Sequence, residues 1–262
     1  MDRIQSVMDV LKNTEPDLVA LQEVLVEETD KEFKVRMKGI GLEHIIVHPH
    51  MSGRGLLVAS RWKIKRLRKA HLKVQSCEEA YHREQAFKPR KRLNARLLSV
   101  RVMHGGVPFE LHNVHVPYGS KRGGRKVDTF RSVTRRMARP TDCPRILCGD
   151  FNEPRKEQRD GRVITWAKYN IYSKSADPDA WDKAVKAIFE ELPERGVRDA
   201  VRYVKGERVI HQVSYPAKGN GRPRRYDHVF ASEQPRPVEA RYIKISRKVS
   251  DHRPVLVVFE DQ

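Results

Sequence analysis

Apolar residues recur along the chain in two periods, and the periods alternate. Ile4, Val7, Met8 and Leu11 return at helical spacing, so residues 2–13 form a helix with one buried face, ended by Pro16. Asp17 to Val24 follows as a strand, with Leu18, Ala20 and Gln22 on one face and Val19, Leu21 and Glu23 on the other. Residues 26–36 read as a charged helix and Ile45–Val47 as a short strand. A Gly53-Arg54-Gly55 turn leads into the apolar strand Leu56–Ala59. Residues 62–75 fit a strand with a basic outer face, and Ser76–Arg90 reads as a loop. Leu93–Met103 and Val107–Val116 both alternate, with the turn His104-Gly105-Gly106 between them as a hairpin. Phe130, Val133 and Met137 mark the core stripe of a helix that ends near Ala138. Ile146–Cys148 is a short buried strand. Arg155–Arg162 reads as a loop, and Trp181, Ala184, Val185, Ile188, Phe189 and Leu192 as a strongly amphipathic helix. The strands Tyr226–Ala231 and Val255–Phe259 complete the pattern.

Strands and helices thus alternate, with no internal repeat and no linker. The expected architecture is one α/β domain over residues 1–262, built in layers around a common core. No apolar run approaches the roughly 20 residues that span a bilayer, and the first residues lack the apolar stretch of a secretory signal. The cysteines Cys77, Cys143 and Cys148 cannot all pair, and none has a zinc-type spacing. They read as reduced thiols of a cytoplasmic protein.

Charge changes the picture more than apolar content does. The 262 residues carry a formal net charge of +19. Residues 61–101 hold fourteen Lys/Arg against three Glu, and residues 119–140 hold eight against Asp128. Basic blocks of this density suit a polyanion, above all nucleic acid, although a solvated basic surface would read the same way. They form no amphipathic membrane helix.

The residues able to do chemistry stand at strand ends. Glu23 extends an apolar face, where a carboxylate needs a divalent cation, an arginine or backbone donors as its partner. Asn113 and His115 end one strand; the histidine reads as a phosphate contact or as a structural imidazole. Beyond Pro117, the stretch Tyr118-Gly-Ser-Lys121-Arg122-Gly-Gly-Arg125-Lys126 is glycine-rich and cationic, suited to gripping phosphates, without the ending of a P-loop. The stretch Arg145-Ile-Leu-Cys-Gly-Asp150-Phe-Asn152-Glu-Pro154 stops a strand abruptly. It sets a carboxylate and an amide at the strand's end, as either a capped turn or a cleft. A basic loop from Tyr215 to Arg225 precedes Asp227, and Asp251-His252 precedes the last strand as an acid/base unit or a ligand pair. Several carboxylates in one cleft repel one another, so a divalent ion is their natural occupant. Together these residues suit Mg²⁺-dependent attack on a phosphodiester.

The ordered set Leu21-Gln-Glu-Val24, His115, Gly149-Asp-Phe-Asn152, Tyr226-Asp-His-Val-Phe230 and Ser250-Asp-His252 resembles the endonuclease/exonuclease/phosphatase superfamily. The resemblance implies a four-layer α/β sandwich of two mainly antiparallel sheets, with helices outside. It also implies roles. Glu23 binds catalytic Mg²⁺, or Mn²⁺, with Asp251 nearby. Asp150 positions or deprotonates water with the help of Asn152. His252, paired with Asp227, holds the scissile phosphate, which His115 also contacts. Tyr118, Lys121, Arg122, Arg125 and Arg225 grip the substrate beside the cleft. The expected activity is hydrolysis of DNA with weak sequence preference. The rivals are a phosphatase for a small phosphorylated ligand and a nucleic-acid-binding protein with impaired catalysis. Two departures stand out. Members of the superfamily begin with a strand ending in Trp-Asn, whereas this chain starts on the helix after it, which predicts an open sheet edge and an exposed apolar face. Tyr118 and Arg224-Arg225-Tyr226 replace the residues of an abasic-site pocket.

Overall fold

The computed structural model describes residues 3–25, 29–49, 53–67, 96–119, 123–169, 176–217, 219 and 221–260. The chain runs through α1 (Arg3–Thr14), β1 (Leu18–Leu25), α2 (Lys34–Lys38), β2 (His44–Pro49), β3 (Arg54–Ser60), β4 (Ile64–Arg66), β5 (Leu97–His104) and β6 (Val107–His115). It continues through α3 (Gly123–Met137), β7 (Arg145–Asp150), β8 (Lys156–Glu157), β9 (Val163–Ile164), α4 (Pro178–Phe189) and α5 (Glu191–Glu194). The last elements are β10 (Arg198–Asp199), α6 (Ala200–Lys205), β11 (Asp227–Ala231), β12 (Pro237–Tyr242) and β13 (Val255–Phe259).

Two sheets carry the fold. One has the order β1-β3-β2 and is antiparallel. The other has the order β10-β11-β7-β6-β5-β4 and is mixed, because β6 and β7 run parallel. The strand alternation decides what packs where. Leu56 and Val58 of β3 meet Val100, Leu111, Ile146 and Val229 of the larger sheet, and Val257 of β13 joins them. The opposite faces take the helices. Met8, Leu11 and Met37 cover Val19, Leu57 and Ala59. Phe130, Val133, Trp181 and Ile188 cover Val114, Leu147 and Phe230. The result is the four-layer α/β sandwich, helices outside and sheets face to face. In α4, Asp177 caps the N-terminus by accepting from the Asp179 and Ala180 amides. That cap contributes about 1 kcal/mol. Burial of Trp181, Val185, Ile188 and Phe189 contributes about 1.5–3 kcal/mol each, so packing holds this helix in place.

Several segments differ from the sequence reading. The helix expected over 26–36 is a π-helical turn, Thr29–Phe33, followed by the five residues of α2. Phe33 and Met37 are its buried anchors. Of the strand expected over 62–75, Ile64–Arg66 is strand among the described residues; residues 68–95, with the loop expected over 76–90, lie outside them. The stretch after Arg155 carries the small hairpin β8–β9. α6 and β12 are not among the expected elements; α6 is only six residues long, whereas β12 does alternate, with Val238, Ala240 and Tyr242 against Glu239 and Arg241.

Among the described residues β1 pairs only with β3, and β13 only with β12. Between them lies a groove of about 1090 Å³, lined in part by Leu18, Ala20, Phe109, Val255 and Val257. Its length brings it to Glu23, Asp227 and His252.

Candidate active site

Asp150 sits at the centre of a row across the larger sheet. It is in register with His115 on β6 and with Asp227 on β11. Gly149 makes this possible. Its φ is 141°, and a Cβ there would lie 1.9 Å from the Val114 carbonyl oxygen, so only glycine lets the two strands approach this closely. Asn152, two residues on, adopts a left-handed φ of 49°, a conformation that asparagine tolerates better than most residues. The turn aims its donors back at Asp150. The Asn152 backbone N–H donates to Asp150 Oδ1 at 2.8 Å and its side-chain Nδ2 to Oδ2 at 3.0 Å. Nδ2 also donates to the Val116 carbonyl at 2.9 Å. Asn152 thus holds Asp150 in place.

The loop before β13 swings His252 over the row. His252 Nδ1 lies 2.7 Å from Asp227 Oδ2. Its ring packs near Tyr215, with centroids 5.1 Å apart. The Asp227 carbonyl accepts from the Tyr242 hydroxyl at 2.5 Å, which holds the strand end in place.

Glu23 comes from the other sheet, and not in the way strict alternation predicts. The pairing of β1 with β3 slips between Leu21 and Val24, and Glu23 has φ 55°. This is a β-bulge with one residue thrown out of the ladder. Val19, Leu21 and Val24 therefore stay on the helix-facing side, while Glu23 is turned out of that row. It pairs with Arg54, which the sequence left open between a turn residue and a phosphate contact. His115 Nε2 lies 3.7 Å from both Glu23 Oε1 and Asp150 Oδ2, so it stands between the carboxylates of the two sheets.

Burial sets the electrostatics of this group. Burial and the neighbouring Asp227 carboxylate push Asp150 up to about 7. Burial would lower His252, but its hydrogen bond to Asp227 and that carboxylate's charge outweigh it and raise the imidazole to about 9. Burial takes His115 down to about 4 against the opposing pull of Glu23. Near neutral pH one histidine is therefore a cation and the other neutral. Ligand atoms of Asp150, Asp227 and His252 fall within 4.8 Å of one another. Hard carboxylate oxygens are the donors that Mg²⁺ or Mn²⁺ takes. A buried carboxylate pushed up by another beside it is relieved by such a cation, so the donor set fits. Glu23 and Asp251, both expected at the metal, lie outside this group of three: Asp251 is exposed, and Glu23 is half-exposed and paired with Arg54.

Other expected residues divide. Tyr118 is exposed at 67% and Arg125 is exposed, whereas Lys121 and Arg122 lie outside the described residues. Arg225, read as a substrate contact, is buried with every donor group engaged. Nε and Nη2 hold Glu157 at 2.6 Å each, and Nη1 reaches Asp199 at 2.9 Å. It therefore has no hydrogen-bonding edge left for a phosphate. Lys126, read as part of the cationic loop, belongs to α3 and is buried. Its Nζ lies 3.0 Å from the buried carboxylate of Glu153, donates to the Asn152 carbonyl at 2.7 Å and sits 5.0 Å from the Trp181 ring. It supports the turn that carries Asp150. Asn113, noted only for its side of the strand, is a second support. It accepts from Gln22 Nε2 at 2.7 Å and donates to the carbonyls of Leu21 and Leu57 at 2.9 and 3.1 Å. One amide thereby joins the two sheets behind Glu23 and His115. Neither support has a local signal, because the partners lie far apart in sequence.

A strand-end cluster of this kind, on a four-layer sandwich, defines a class. The sequence matches the Endonuclease/Exonuclease/phosphatase family over residues 1–252, and the chain belongs to that family. No curated protein sequence matches it. Among solved structures it is similar to Danio rerio TDP2 complexed with single strand DNA product, at 16% identity and a TM-score of 0.62, covering 99% of this chain and 92% of that one. Truncated Caenorhabditis elegans TDP2 is 17% identical with a TM-score of 0.58, over 98% and 89% of the two chains. An endonuclease/exonuclease/phosphatase family protein from Leptotrichia buccalis is 16% identical with a TM-score of 0.55, over 99% and 93%. At these identities the likeness is one of fold.

Proposed function

We propose that the protein is a divalent-metal-dependent phosphodiester hydrolase acting on nucleic acid, with DNA as its substrate. The observation that carries this reading is the row His115–Asp150–Asp227, with His252 on Asp227 and Glu23 facing it from the other sheet. The net charge of +19 supports a polyanionic substrate, since a small phosphorylated ligand needs only a few cations. The TDP2 relative complexed with single strand DNA product is consistent with it. Among the described residues no helix is long and apolar enough to cross a membrane.

The roles follow from charge and placement. Glu23, Asp150 and Asp227 would hold a Mg²⁺ or Mn²⁺ ion, which when bound offsets their repulsion and polarises a phosphate oxygen. Asp150, with both oxygens fixed by Asn152, orients the attacking water and accepts its proton. His252, cationic through Asp227, stabilises the charge that builds on the phosphate. His115, neutral and half-way between the sheets, donates a hydrogen bond to the same group.

The test is incubation with supercoiled plasmid and Mg²⁺, alongside an EDTA control and Asp150→Ala. Nicking that requires both the metal and Asp150 is expected. Loss of DNA binding and cleavage together in Asp150→Ala, or cleavage in EDTA, would overturn the assignment.

A further inference from the structure

Beside the catalytic row lies a group of rings and guanidinium ions that the chemistry above does not use. Arg155 Cζ sits 3.7 Å from the ring centre of Tyr169 and 5.6 Å from that of Trp166. Arg224 Cζ sits 5.5 Å from the Trp166 ring. Trp166 is anchored to both sides of the site. Its Nε1 donates to the Tyr226 hydroxyl at 3.1 Å, next to Asp227, and its backbone N–H donates to Glu153 at 3.2 Å, next to Asn152. The Tyr226 ring centre is 6.5 Å from that of His252. Tyr169, by contrast, is 52% exposed at the outer end.

We propose that Arg155, Trp166, Tyr169 and Arg224 form a stacking platform for unpaired nucleobases, so that the strand entering the site is single-stranded or locally opened next to the scissile phosphate. This rests on the hydrolase reading and names the substrate class of that site. Both guanidinium groups lie over aromatic rings. Among the described residues neither side chain is paired with a carboxylate, and the Arg224 guanidinium donates to the Pro223 carbonyl at 3.2 Å. Their edges are left for phosphate oxygens, while the planes offer a surface as flat as a base. Every base has a π-face, so such a platform tolerates sequence. A duplex keeps those faces stacked inside itself, and a small phosphorylated ligand without a ring would leave the platform idle. Core packing does not account for it, because its outermost aromatic ring is half exposed.

The experiment is fluorescence anisotropy at fixed salt with three probes of equal length: a single-stranded oligonucleotide, its duplex, and a strand whose bases are all replaced by abasic sites. Two variants are compared with the parent, both checked for folding by circular dichroism: Tyr169→Ala, and Arg155→Lys, which keeps the charge and loses the plane. The expected result is that the parent prefers the base-bearing single strand. Each variant then loses roughly 5- to 100-fold affinity for it, with the abasic strand unaffected. Equal loss on the base-bearing and abasic strands, or no loss on either, overturns the platform. Hydrolysis of bis(4-nitrophenyl) phosphate by the parent separates the two readings. An active parent whose variants lose nothing on the base-bearing strand refutes the platform alone. An inactive parent whose variants show the base-dependent loss supports the platform and refutes the hydrolase reading.

Discussion

His252 Nδ1 and Asp227 Oδ2 are 2.7 Å apart, and this contact is what makes His252 a cation at neutral pH. Without the Asp227 carboxylate, burial lowers the imidazole against only the weaker pull of Asp150 and Asp251. Asp227→Asn is therefore expected to bring His252 well down from about 9. NMR titration of the His252 ring measures this directly. Hydrolysis at pH 8 should fall by roughly 10²- to 10³-fold, with partial recovery as the pH is lowered. A His252 that still titrates near 9 in the variant would refute the pairing as the cause.

Asp150 is raised as well, which here keeps a carboxyl neutral. Its carboxyl is pushed up to about 7 from 3.8, so its contribution to stability is complete below 3.8 and is lost as pH rises through 7. The loss is at most about 4 kcal/mol. The raised His252 adds to the same trend up to about 9. In EDTA, urea unfolding should show the parent weakening between pH 5 and 8, with Asp150→Asn flatter over that range. Mg²⁺ should restore the parent at pH 8 and do little for the variant. Equal slopes for the two proteins would contradict the assignment.

Arg225 tests the difference between a structural and a substrate arginine. Burial would raise Glu157 and Asp199, but Arg225 outweighs it and holds both below the usual carboxylate range. Their contribution is therefore present above that range and lost as pH falls below about 4. Arg225→Met leaves two buried carboxylates without their guanidinium and should cost about 3–5 kcal/mol in urea unfolding at pH 7. The variant should also lose proportionally less on acidification. DNA affinity of the folded variant should match that of the parent. A selective loss of affinity would return Arg225 to the substrate face.

Much of the fold was legible because one face of each major strand is strictly apolar. Ile146, Cys148 and Val229 declare the inner face, and Leu147 and Phe230 the outer one. The site was legible for a related reason: a carboxylate that continues an apolar row has few uses. Asp150 and Asp227 follow that rule, in register across β7 and β11. Glu23 does not, because its bulge breaks the alternation from which it was read, and nothing in Leu21-Gln-Glu-Val24 announces a left-handed residue. Arg225 and Lys126 failed for a different reason. Charge alone does not say which way a side chain points, and their carboxylate partners Glu157, Asp199 and Glu153 are 26 to 68 residues distant in sequence. α6 was missed because six residues show too little of a helical period, whereas β12 carried an alternation, Val238, Ala240 and Tyr242, that was passed over.

The hydrogen bonds of Asn113 reach further than the two residues they position. Gln22, Leu21 and Leu57 belong to one sheet and Asn113 to the other, so the amide finds its partners only when both sheets have formed and met. Glu23 and His115 stand one and two residues beyond those bonds. With the larger sheet alone complete, Asp150 and Asp227 are already in register, but Glu23 and its approach to His115 are missing. The approach of Glu23 to His115 and the Asp150 row is therefore acquired only when the two sheets dock. Under the proposed function, any metal binding that needs Glu23 would report on the assembled sandwich.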